Sequence, residues 1–426
     1  MHDLVLLVSI RALFQGIAHF VSPTLPFFVT RESRDVLEYI AHKSIGRPQW
    51  FEGYVPFIFE LAWFVNEIST SASPTAIIKV LIFLIDVAAG SFWYFIVKRL
   101  STAGLNKNKH VKGYDFVGLR NPEVKHLQVS QPLFIAGLHM LNPLSILYNE
   151  ACNCDGVRYF WVSLAVFSAL QLYGYRPGDI PSYVLYQFAA CGMLLNGSFK
   201  MLAVLLPLTY LVVHKRLRLS NSASLSWSEW KFMMRSIVPH ILVTISMYVL
   251  YYVLVDHHMI RQILDIDYGG RGSGIDFSLY WYLNRVLHSP FNIVNIFKAH
   301  MIIFVFPLPL LVVLRHRPME YLITMLSISI LQQPRLSLVG LWFMICLFAV
   351  HYPLMDKSLA FTKMMMMLFA TVILSVVAYI AWAGRYIANP NYFFAPQLLI
   401  LILMCMVLED YTKVNFNLMS TSKSQQ

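Results

Sequence analysis

The chain has 426 residues, of which 58% are hydrophobic, 15% aromatic and 13% charged, with a formal net charge of +11. A soluble domain is about 45–50% apolar and about 25% charged. The halved charge therefore excludes an ordinary water-soluble globule and marks a polytopic membrane protein. The basic excess gathers in short loops at the ends of apolar runs, as the positive-inside rule expects, so nucleic acid is not an expected partner.

A spanning helix needs ~20 apolar residues to cross ~30 Å of hydrocarbon. Apolar runs at 4–29, 76–97, 132–148, 158–174, 183–195, 201–213, 237–255, 291–314, 319–332, 338–354, 364–383 and 392–409 predict an all-α fold with about twelve transmembrane helices. Neither internal repeats nor low-complexity linkers interrupt it, so residues 1–426 are expected to form a single transmembrane domain.

The first run follows Met1-His2-Asp3, which lacks a basic n-region, and continues past the length of a signal-peptide core. It is expected to be a retained span. Residues 30–75 then form a long connection with an amphipathic helix around Asp35–Ile40 and a re-entrant or interfacial element at Val55–Val65.

Asp86 lies within the apolar run Leu81–Phe95. A carboxyl there costs ~2.5–3.5 kcal/mol on insertion scales and normally faces the bundle or a polar cavity. It is either a ligand or proton site or an interhelical contact. With Asn142 it makes a candidate intramembrane polar site, although Asn142-Pro143 also reads as a helix terminus and Pro207 as a kink. Residues 98–131 look cytosolic and amphipathic, with Lys107, Lys109 and Lys112 near the headgroups.

The five cysteines make no disulfide framework. Cys191, Cys346 and Cys405 sit in apolar runs as small core residues, and Cys152 and Cys154 are too close together, without a second pair, for zinc. Asp256-His257-His258 with Asp265-Ile266-Asp267 is the densest cluster of metal-type ligands, but a glycine-rich run follows at once, and a solvated loop is the expected reading. No metal, cofactor or catalytic residue is expected.

The last polar break runs Ala383-Gly384-Arg385-Tyr386-Ile387-Ala388-Asn389-Pro390-Asn391-Tyr392-Phe393-Phe394. Gly, Pro and Asn are turn residues, each for a separate backbone reason. With the N-terminus in the cytosol, the cytosolic loops hold 19 of the 33 Lys and Arg. That orientation keeps both termini cytosolic, leaves a disordered tail over about 415–426, and puts the break on the lumenal side.

Several stretches, in order, resemble a known family. They are Leu84-Ile85-Asp86-Val87-Ala88, Leu141-Asn142-Pro143-Leu144-Ser145, Leu206-Pro207-Leu208-Thr209, Trp281-Tyr282, Phe306-Pro307-Leu308, Arg315-His316-Arg317-Pro318 and the Ala383–Phe394 break. Together they resemble the U-class subunit of GPI transamidase (PIG-U). The break departs from the family pattern by two extra residues between Gly384 and Ala388 and by Arg385 in place of a small residue. After Trp281-Tyr282 the chain lacks the family's following acid.

The resemblance implies a GT-C-like membrane fold, as in dolichol-phosphate-mannose-dependent mannosyltransferases, without catalysis of its own. The first lumenal loop agrees. Glu32 and Asp35 lie three apart beside Arg31 and Arg34, and adjacent guanidinium groups serve a metal or a catalytic base poorly. The implied role is a non-catalytic subunit of the endoplasmic-reticulum complex that attaches GPI anchors. The implied partners are a catalytic Cys protease (PIG-K), PIG-T, PIG-S, a Gaa-type subunit, the GPI glycolipid and membrane lipids. Asn389 and Asn391 then offer amides to a headgroup, and Tyr392, Phe393 and Phe394 pack on acyl chains or anchor the interface; equally, the two Asn only close the turn. An active mannosyltransferase is the alternative, needing Glu32, Asp35 or the Asp265/Asp267 pair. A transporter is a third reading, with only Asp86, Lys298 and His300 as intramembrane charges.

Overall fold

The computed structural model describes residues 2–21, 74–105, 131–150, 155–173, 180–196, 199–214, 217, 226–255, 301–333, 336–351, 359–384, 387 and 390–424. Those residues are almost entirely helical, with no strand among them. In chain order they form α1 (His2–Val21), α2 (Pro74–Leu105), α3 (Pro132–Met140), α4 (Pro143–Glu150), α5 (Asp155–Leu172) and α6 (Ile180–Asn196). A 3-10 turn (Phe199–Met201) leads into α7 (Leu202–Val213), followed by α8 (Trp227–Val255) and a second 3-10 turn (Ile302–Val305). Then come α9 (Pro307–Leu314), α10 (Pro318–Leu331), α11 (Leu338–Ala349), α12 (Leu359–Tyr379), a π turn (Ile380–Gly384) and α13 (Pro390–Ser424).

Local chemistry sets the ends. Pro132, Pro143, Pro307, Pro318 and Pro390 each open a helix, where the missing N–H costs nothing. Ser226 and Glu229 close a capping box at α8: Ser226 N donates to Glu229 Oε2 at 2.8 Å and Glu229 N to Ser226 Oγ at 3.3 Å. Ser337 caps α11 by accepting from Gly340 N at 3.1 Å.

Among the described residues, four helical stretches are long and apolar enough to cross a membrane: Ala76–Ser101, Trp227–Tyr251, Thr362–Trp382 and Asn391–Lys413. The remaining apolar helices are shorter. The run 132–148 is not one continuous helix, because Pro143 cannot donate to the helical ladder and the chain breaks at Leu141-Asn142. The helix α7 has 12 residues, α10 has 14 and α11 has 12, or about 18–21 Å at 1.5 Å per residue. The last helix runs on to Ser424, across the stretch expected to be a disordered tail.

Length and burial divide the bundle. The short helices α5, α7, α10 and α11 are buried on nearly all sides. A helix apolar all round belongs inside, surrounded by other protein. By contrast, only 17% of the apolar window of α8 and 28% of that of α12 are buried. Val238, Leu242, Val249 and Leu250 of α8 and Met366, Phe369, Ile373 and Val377 of α12 face outward, as lipid contacts do.

Lipid tails are as apolar as Leu, so helices inside a bilayer are held by close packing and interhelical hydrogen bonds rather than by water exclusion. Both devices are present. A Cβ on Gly192 of α6 would lie 2.1 Å from the Trp161 ring of α5, so only glycine permits this approach. Tyr186 and Thr209 hydroxyls meet at 3.1 Å between α6 and α7. Tyr321 donates to Pro307 O at 2.8 Å, tying α10 to α9. On the outer helix α8, His240 Nδ1 meets Tyr183 OH at 3.1 Å, and Thr244 donates to Gln187 Oε1 at 2.6 Å. Gln187 in turn donates to Tyr183 OH at 2.9 Å, completing a polar seam between α6 and α8.

Candidate functional site

Asp86 of α2 is the centre of a buried polar cluster. Its carboxylate is 2% exposed, and Arg11 of α1, wholly buried, donates Nη2 to its Oδ2 at 2.8 Å. His139 Nε2 of α3 lies 3.5 Å from Oδ1, and Ser145 Oγ of α4 lies 3.4 Å from Oδ2. The Asn149 amide fits its neighbours when its oxygen accepts from Arg11 Nη2 at 2.8 Å and its nitrogen donates to Ser145 O at 3.2 Å. Four helices thus meet on one carboxylate, and the arginine balances its charge.

Asn142 joins this cluster through the helix break. Its Oδ1 accepts from Leu144 N at 2.9 Å, capping α4 behind Pro143. Its backbone O accepts from Ser145 Oγ at 3.2 Å, and the same hydroxyl faces Asp86. The break therefore has a purpose in packing, since it turns Ser145 and Asn149 toward Asp86. Ser145 thus links Asn142 to Asp86. Sequence reasoning missed Arg11, His139, Ser145 and Asn149. Arg11 carried a signal, because an arginine inside an apolar run needs a counter-charge.

The cluster is anchored in the aromatic core. The His139 ring meets Phe343 of α11 edge-on, and Phe343 stacks on Tyr159 at 4.4 Å between centroids. Trp342 Nε1 donates to Leu138 O at 2.9 Å. Paired and enclosed in this way, the carboxylate ties α1 to α2, α3 and α4.

The second candidate region is the break between α12 and α13. The helix widens into the π turn Ile380–Gly384, and Ile387 N donates back to Ala381 O at 3.0 Å. Asn389 lies outside the described residues. Asn391, in the first turn of α13, is exposed. The next two aromatics part company. Tyr392 is 65% exposed, whereas Phe393 is 1% exposed and packs inward on Tyr379 and Trp382, with centroids 5.3 and 6.0 Å away. An i to i+1 step on a helix turns by about 100°, so adjacent aromatics cannot both face the same way.

Among the described residues no group of three His, Cys, Asp or Glu is placed to hold a metal ion. Glu32, Asp35, Asp265, Asp267, Trp281, Lys298, His300, Cys152, Cys154 and most of 30–75 and 98–131 lie outside the described residues. Cys191 and Cys346 are buried and Cys405 is exposed, all three as free thiols.

Comparison with known protein families matches the chain to the family described as GPI transamidase subunit PIG-U, over residues 53–400. The chain belongs to the PIG-U family. The match spans α2 to the first turns of α13 and so includes Asp86, Asn142, Asn389 and Asn391. As a member it is a subunit of the multi-subunit GPI transamidase and serves GPI-anchor attachment to proteins. None of the curated proteins compared with the chain matches it.

Proposed function

We propose that this chain is a non-catalytic binding subunit of the GPI transamidase in the endoplasmic-reticulum membrane. It holds the GPI lipid, the C-terminal hydrophobic attachment signal of the substrate protein, or both. The observation that carries this reading is the PIG-U family match over residues 53–400. An attachment signal with ~10–20 apolar residues needs a membrane-embedded surface, and a glycolipid needs amides and hydroxyls at headgroup level.

Within this reading the whole chain is one GT-C-like membrane domain of about twelve spans, with both termini in the cytosol and the α12–α13 break in the lumen. Asn389 and Asn391 offer hydrogen bonds to phosphate or sugar hydroxyls, and Tyr392 lies against acyl chains. Phe393, pinned by Tyr379 and Trp382, holds the first turn of α13 in place. The catalytic Cys protease PIG-K, PIG-T, PIG-S and a Gaa-type subunit are the partners. The Arg11–Asp86 cluster supports this surface by fixing the first helices.

Affinity purification of the full chain in mild detergent, with identification of co-purifying chains, tests the assignment. Recovery of the transamidase subunits is expected; their complete absence would overturn it. For the lumenal amides, Asn389→Ala with Asn391→Ala is expected to lower surface GPI-anchored protein while the complex still assembles. Undiminished anchoring in that double variant would leave the two Asn with the turn alone.

A further inference from the structure

The helix α8 has 29 residues and is therefore about 43 Å long at 1.5 Å per residue. Bilayer hydrocarbon is ~30 Å thick, so about 13 Å of this helix lies outside it. The outward face shows which end that is. Trp227, Lys231, Arg235, Val238, Leu242 and Val249 are all exposed and recur at helical spacing along one stripe. On the opposite side Met233 and Ile237 are wholly buried in the core. The stripe is aromatic and basic as far as Arg235 and aliphatic from Val238 onward. Ser236 to Val255, about 20 residues, then matches the hydrocarbon, and the turns from Trp227 to Arg235 lie at headgroup depth.

Two cations face outward at that depth, four residues apart and so side by side on the helix. Lys231 Nζ lies 5.3 Å from the centre of the Trp227 ring, which holds the ammonium beside the indole. Among the described residues no acid forms an ion pair with Lys231 or Arg235. Glu229, the acid of the first turn, accepts from Ser226 N and Oγ at 2.8 Å and caps the helix. The N-terminal end of α8 adds its own partial positive charge. The whole of this surface calls for an anion that approaches from the membrane side.

We propose that the outward face of the first turns of α8 binds one net-anionic glycerophospholipid. Its phosphate sits between Lys231 and Arg235, where the guanidinium fork grips two oxygens and the ammonium adds a point charge. The Trp227 indole anchors the interface, and the acyl chains lie along Val238, Leu242 and Val249. A zwitterionic lipid brings its own cation beside the phosphate, so two protein cations favour a lipid with net negative charge. The charge-based orientation puts this end in the cytosolic leaflet, whose surface potential is negative. Only 17% of the apolar window of α8 is buried against the protein, and the bound lipid fixes the depth of this outer helix.

The full-length chain in nanodiscs of phosphatidylcholine and phosphatidylserine tests it, with bound lipid measured by native mass spectrometry. Phosphatidylserine is expected to be retained in preference to phosphatidylcholine. Lys231→Gln with Arg235→Gln is expected to lower its apparent affinity about thirtyfold, the loss of two basic groups at an anionic surface. Both side chains are exposed, so that variant should melt at an unchanged temperature. The charge-conserving exchange Lys231→Arg with Arg235→Lys should keep most of the retention. Lys363→Gln, which removes an exposed cation of α12, should leave it unchanged. Equal retention of the two lipids, or full retention by the double-Gln variant, would overturn the site. A fall with Lys363→Gln as large as with Lys231→Gln alone would reduce the effect to net charge and overturn it too. Displacement by glycerol 3-phosphate at matched concentration would overturn the lipid source in favour of a soluble phosphate. Unchanged lipid retention in the double-Gln variant with loss of a co-purifying chain would reassign the pair to an acidic protein partner. The lipid readout needs no other subunit, so it does not depend on the transamidase assignment.

Discussion

Arg11 of α1 and Asp86 of α2 form a fully enclosed ion pair, 2.8 Å between Nη2 and Oδ2, with 74 residues between them in the chain. Breaking a buried pair by removing one partner strands a charge and costs about 3–5 kcal/mol, whereas replacing both by apolar residues of similar volume is often neutral. Arg11→Met alone and Asp86→Leu alone are therefore expected to abolish monodisperse elution by size-exclusion chromatography in detergent. The double variant Arg11→Met with Asp86→Leu should recover most of it. A double variant as poor as the singles would mean that the charges themselves have a further role.

Gly192 sits where α6 and α5 come closest. A Cβ at 2.1 Å from the Trp161 ring has no room, and that ring is itself wedged edge-on against Phe160 and Phe188. Gly192→Ala is expected to destabilise by about 1–3 kcal/mol, the usual range for overpacking, read as a lower melting temperature in detergent. Adding Trp161→Leu should restore part of the loss by opening space for the methyl group.

The polar seam between α6 and α8 holds an otherwise lipid-facing helix. Hydrogen bonds between membrane helices average about 0.6 kcal/mol and reach about 1.7. Gln187→Leu removes both the bond from Thr244 and the bond to Tyr183. Only the bond from Thr244 crosses between helices, so the expected effect is a modest loss of about 0.6–1.7 kcal/mol, and thermal melting of the Gln187, Thr244 and double variants as a cycle measures it. Additive losses from Gln187→Leu and Thr244→Val would show that the two side chains are not coupled.

Phe393 closes the α12–α13 junction against Trp382 and Tyr379. Phe393→Ala is expected to cost about 3–5 kcal/mol of local packing and to speed protease cleavage at the break between α12 and α13. Tyr392→Ala, on the exposed side, should leave cleavage unchanged and act only on GPI-anchor attachment. Equal protease sensitivity of the two variants would contradict the inward placement of Phe393.

Composition and hydrophobic run length alone determined that this is a helical membrane protein, because roughly half the usual charge cannot cover a water-facing surface. Short motifs in a fixed order also carried the family, and proline positions mark six of the thirteen described helix starts, since a missing N–H acts locally. What lies between distant residues was beyond reach. An apolar run reads the same in a lipid-facing helix and in a central one, so only the packing separated long α8 and α12 from short, enclosed α7, α10 and α11. Asp86 and Arg11 each stand out as a charge inside an apolar run, but their pairing does not, because pairing across 74 intervening residues depends on how α1 lies against α2. Nor could the pattern Tyr392-Phe393 reveal that one ring faces out and the other in: that choice is made by the rotation of α13 against Tyr379 and Trp382.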